Sequence, residues 1–135
     1  MRVSTRKENQ IMADIDLTIN SVTTPTDVSQ GTTLTIAVNV TADAASFAEG
    51  IAYSLFVYVD GLKAGPLTVP PLTQAGTLQA APWNTATSTI NFSFPVPAAA
   101  APDVYIVAAS LLVGPTAAVF QVGPVFANNS VVVHT

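Results

Sequence analysis

The chain has 135 residues, half of them hydrophobic, only 9% charged, with a formal net charge of −4; an ordinary soluble domain carries about 25% charged residues. One domain with a single core is expected at this length, and several classes are excluded. With no cysteine there is neither a disulfide framework nor a thiolate metal site, four basic residues against eight acidic ones are too few for a surface that tracks phosphates, and no run of about 18 apolar residues is present to span a membrane as a helix.

The first segment, residues 1–11, reads MRVSTRKENQI. Arg2, Arg6 and Lys7 are three of the four basic residues, and from Met12 onward only Lys63 opposes seven acids. The segment has no apolar period with which to join a core, so it is expected to be an assembly arm that reaches an acidic neighbour. It has the positive start of a secretion signal but lacks the continuous apolar stretch such a signal needs. Residues 12–135 form the expected domain. In DIDLTINSV the residues Ile15, Leu17 and Ile19 alternate with Asp14, Asp16, Thr18 and Asn20, the pattern of a strand with one buried face. TTLTIAVNV repeats it with Leu34, Ile36, Val38 and Val40.

The next strand, Ala52 to Val59, is apolar on both faces, because Tyr53, Leu55, Val57 and Val59 alternate with Phe56 and Tyr58. Asp60-Gly61 suits a tight hairpin turn, after which LKAGPLTV returns. Pro70 and Pro71 cannot donate ladder hydrogen bonds, which predicts an irregular connection to about Thr85 that contains Trp83. TSTINFSF alternates with Ile90, Phe92 and Phe94 inward; PVPAAAAP is too short between prolines to nucleate a helix. DVYIVAASLLV, TAAVFQV and NNSVVV complete the set, with breaks at Gly114-Pro115 and Gly123-Pro124. About seven or eight short strands and no helix predict an all-β, immunoglobulin-like antiparallel β-sandwich.

DIDLTINSVTTPTDVSQGTTLTIAVNV, LFVYVDG, PDVYIVAA and NNSVVV, in that order, resemble the immunoglobulin-like cell-adhesion-related domain of bacteria and archaea. The shared features are a Gly before the second strand, an Asp-Gly hairpin, a Tyr near the start of a late strand and a terminal Asn-Asn pair. The resemblance spans roughly Asp14 to Val133 and implies a seven-stranded extracellular or structural module without catalysis. Decoration proteins of viral capsids use similar folds and lack signal peptides, an analogy that fits the front of this chain.

No nucleophile and base pair is visible, so no enzyme is expected. His134, the lone histidine, sits one residue from the end, where a triad member is hard to hold. Asp14 and Asp16 share a face but offer too few oxygens for calcium unless Asp43, Asp60 or Asp103 converge on them, so neither a metal nor a cofactor is expected. Trp83 is a sugar-stacking candidate set against ordinary core packing, and Tyr105 is expected to hydrogen-bond backbone as a tyrosine corner. The expected function is a non-enzymatic structural module that assembles into an array, as a virion decoration or minor capsid protein. Its partners are other protein subunits, copies of itself or a capsid scaffold, held through Arg2, Arg6 and Lys7 and through Phe56 and Tyr58. The alternative is a cell-surface adhesion or carbohydrate-binding module using Trp83.

Overall fold

The computed structural model describes residues 16–99, 101–114 and 120–135. The basic arm with Arg2, Arg6 and Lys7 lies outside these residues, as do Asp14, Ile15 and the 116–119 part of the expected penultimate strand. Ten strands and one short helix are present among the described residues: β1 (Leu17–Thr23), β2 (Asp27–Ser29), β3 (Thr33–Ala42), α1 (Ala44–Glu49), β4 (Ala52–Gly61), β5 (Gly65–Pro66), β6 (Leu72–Thr77), β7 (Thr87–Pro95), β8 (Asp103–Val113), β9 (Phe120–Phe126) and β10 (Val131–His134). Apart from the short β2 and β5, eight strands of four residues or more remain.

The smaller sheet runs β1-β3-β7 and the larger β2-β10-β8-β4-β5. On one edge of β8, β10 pairs with Asp103 to Tyr105 and β9 with Ala108 to Val113. On the far edge of β4, β5 and β6 sit end to end in the same way. All pairs are antiparallel except β2 with β10. The chain thus leaves the smaller sheet at Thr23 and joins the larger one at Asp27. The fold is an immunoglobulin-like antiparallel β-sandwich.

Alternation builds the core. Leu34, Ile36, Val38 and Val40 of β3 and Leu55, Val57 and Val59 of β4 are fully buried, and each contributes about 1.5–3 kcal/mol against the entropy of ordering it. In β1 the alternation breaks at a bulge between Ile19 and Ser21, which returns Val22 rather than Ser21 to the interior.

Four expectations are corrected. The hairpin turn is not Asp60-Gly61, which continues β4; the chain turns at Leu62 to Ala64, and Gly65 takes the positive φ of 81°. The stretch after Pro71 is not all irregular, because β6 pairs with β4 from Leu72 to Thr77. Gly123-Pro124 does not separate strands but lies within β9, where the register with β8 shifts between Ala109 and Leu111. The chain is also not free of helix. The Asp43 carboxylate accepts from the Ser46 N–H at 3.1 Å, Gly50 closes the other end with φ 65°, and the Gln79 amide donates to the carbonyls of Phe47 and Ala48. Capping at both ends satisfies the groups that make so short a helix costly.

Candidate partner-binding face

The outward positions of the larger sheet follow from its register. Tyr58 stands opposite Ala108, and Ala108 opposite Phe126, so one row crosses three strands. Phe56 lies beside Ser110, Ser54 beside Leu112, and Ile106 beside Asp60. Phe56 and Tyr58 are half-buried, as are Ile106 and Leu112, while Phe126 is 61% exposed. Ala108 and Ser110 are small and buried between these larger neighbours in register. Asp60, and Asp27 at the β2 edge, are the carboxylates on this side of the sheet among the described residues. The result is a mostly apolar plane on the outside of the molecule, with its carboxylates at the margins.

The turn at one end of this sheet is fixed from a distance. Asp103, at the start of β8, accepts the backbone N–H groups of Lys63 (3.0 Å), Ala64 (3.1 Å) and Val104 (2.7 Å). Burial pushes its carboxyl up, but the three backbone donors and the nearby Lys63 charge outweigh this and hold it below the usual carboxylate range. Gly61 is what allows the approach, because a Cβ there would run into the Asp103 carboxylate oxygen.

The outer face of the smaller sheet differs. Asn20 donates to Asn39 (2.8 Å) and Thr41 (2.7 Å), Asn39 donates to Thr89 (3.1 Å), and Thr41 bonds Thr87 (3.0 Å). These side chains form a lattice across all three strands without a charge.

Among the sequence-derived candidates, Phe56 and Tyr58 lie on the outer face as expected, joined there by Phe126, which the sequence did not single out because only cross-strand register brings it alongside. Trp83 is corrected. Its ring is 0% exposed, packs edge-on against Tyr53 with centroids 4.9 Å apart, and donates to the Ala86 carbonyl at 3.3 Å. Backbone bonds from Gln79 to Trp83 and from Trp83 to Ala80 close the loop around it, so no ring face is open to a sugar. The Tyr53 hydroxyl beside it is buried without a hydrogen-bond partner among the described residues, and desolvation raises its pKa. Tyr105 is buried and packs edge-on against Phe94, with ring centroids 6.2 Å apart. His134 faces Asp27 at 3.4 Å on an exposed strand end. Asp43 caps the helix and Asp103 the turn; among the described residues no group of three or more His, Cys, Asp or Glu comes together.

No protein-family profile matches the chain, and no curated protein matches it. Among solved structures it is similar to the CARDB domain of the PF1109 protein from Pyrococcus furiosus, determined in complex with di-metal ions. The two share 14% identity over 88% of each chain, with a TM-score of 0.49.

Proposed function

We propose that this chain is a non-enzymatic immunoglobulin-like module that assembles with other protein subunits by covering the outer face of its larger sheet. The row Tyr58–Ala108–Phe126, flanked by Phe56, Ile106 and Leu112, carries this reading. Contiguous apolar patches beyond a few hundred Å² mark contact surfaces, and a chain with 9% charged residues has little repulsion to keep such a face apart from a neighbour. The module works by contact: the packed core supplies a rigid body and the apolar plane supplies the interface. A virion coat and a cell surface are the two settings in which such a module would serve. The same chemistry serves both, and fractionation of the native source separates them.

The test is sedimentation of the full chain beside a Tyr58→Ser/Phe126→Ser double variant. The wild type should associate with rising concentration, and the variant should associate less strongly with an unchanged β-sheet circular dichroism spectrum. A wild type that stays monomeric up to its solubility limit, or a variant that associates equally well, would sink the proposal.

A further inference from the structure

We propose that β7 is a second contact surface, an open sheet edge that pairs antiparallel with β7 of another copy about a two-fold axis through Asn91. Among the described residues it is the terminal strand of the smaller sheet, nine residues long and without a charged side chain. Edge strands that stay apart in solution are usually protected by charge, bulges or brevity, and the ladder between β3 and β7 is regular along its whole length.

The backbone specifies the partner. Hydrogen bonds from the Ala42 N–H to the Ala86 carbonyl and from the Val96 N–H to the Thr32 carbonyl, both 2.9 Å, bracket the ladder. Because hydrogen-bonded positions alternate in an antiparallel pair, Ser88, Ile90, Phe92 and Phe94 turn their backbone groups toward β3. Thr87, Thr89, Asn91, Ser93 and Pro95 therefore turn theirs to the open edge. Thr89, Asn91 and Ser93 each present a donor and an acceptor there. The two ends are unequal in a matching way: Pro95 has no N–H to give, and the Thr87 carbonyl already accepts the Thr85 hydroxyl at 2.7 Å.

Rotation about Asn91 places Thr87 of one copy opposite Pro95 of the other and Thr89 opposite Ser93. The missing donor at Pro95 then meets the occupied acceptor at Thr87, while the Thr87 N–H meets the Pro95 carbonyl, neither of which turns toward a described strand. No donor on this edge is left facing a group that cannot accept it. A shift of two residues in either direction loses this match. The side-chain lattice that ends at Thr87 and Thr89 would continue through Asn91 and Ser93 into the second copy.

This goes beyond the apolar-face reading and complements it. An isologous contact closes at two subunits, so an extended array needs a second, separate surface, and the edge and the face are two such surfaces.

The experiment compares the full chain with Asn91→Pro, which removes only an N–H that points away from β3, and with Asn91→Cys, whose thiol is the sole one in the protein. Loss of the two central hydrogen bonds should weaken edge dimerisation roughly thirtyfold. Paired Cα atoms at the axis would lie about 5.5 Å apart, inside the disulfide range of about 4.4–6.8 Å, so the Asn91→Cys protein should cross-link under mild oxidation while a Thr35→Cys control on the central strand does not. An Asn91→Pro protein that associates like wild type, or equal cross-linking of the two cysteine variants, overturns the proposal; if Asn91→Pro fails to fold, the cross-linking decides. Loss of association in Tyr58→Ser/Phe126→Ser with none in Asn91→Pro removes the edge and leaves the face standing, and the reverse result removes the face and leaves the edge.

Discussion

On the smaller sheet, Asn20, Asn39, Thr41, Thr87 and Thr89 direct their amides and hydroxyls to one another; on the larger sheet, the outward positions carry Phe56, Tyr58, Ile106, Leu112 and Phe126. Both planes are nearly free of charge, yet they make different demands. The lattice holds its groups in place while leaving hydroxyls and carbonyls that water can still solvate, so it is stable when exposed. The apolar plane gains free energy only when something removes it from water. Low charge alone therefore does not identify an interface, and the division of polar groups between the two faces does.

The largest effect that would break this contrast is the loss of association expected of Tyr58→Ser/Phe126→Ser, and its counterpart lies on the other face. Asn20→Ala removes the two side-chain bonds that the Asn20 amide donates to β3. Because these are exposed, thermal unfolding should show a loss of about 1 kcal/mol, with association unchanged in sedimentation. If Asn20→Ala instead abolished association at unchanged stability, the assignment of roles to the two faces would be reversed.

A smaller effect concerns pH. The described strands of the smaller sheet contain no ionisable side chain, whereas the larger sheet holds Asp103 with its lowered pKa. A carboxyl held below its unfolded value contributes stability that is fully present above that unfolded value and is lost as pH falls through the folded one. Acid titration followed by circular dichroism should show a loss that begins in the ordinary aspartate range and is completed below it, and Asp103→Asn should flatten that part of the curve. An identical curve for the variant would mean that the turn is held by something else.

Much of this was legible in the sequence where period-2 alternation is unbroken. β3, β4, β7 and β8 lie where Leu34 to Val40, Tyr53 to Val59, Ile90 to Phe94 and the Asp103–Val113 stretch place them. Features set by distant partners were not. Gly61 reads as a turn residue, but its role is to admit the Asp103 carboxylate, whose bond to Lys63 spans 40 residues of sequence. The helix was signalled by Asp43 and Gly50 at its ends, yet six residues fall below any useful periodicity. β6 is hidden by the prolines before it and by small polar residues that pack little. Phe56 and Tyr58 could be read as outward from their own strand, whereas Phe126 needed the register across β8.

The claim that the larger sheet is the covered face is tested most directly by hydroxyl-radical footprinting of dilute and associated protein. Tyr58 and Phe126 should lose reactivity on association, while Leu62, 72% exposed in the turn at the end of the sheet, should keep its own. Unchanged reactivity of Tyr58 and Phe126 in protein that sedimentation shows to be associated would contradict the account.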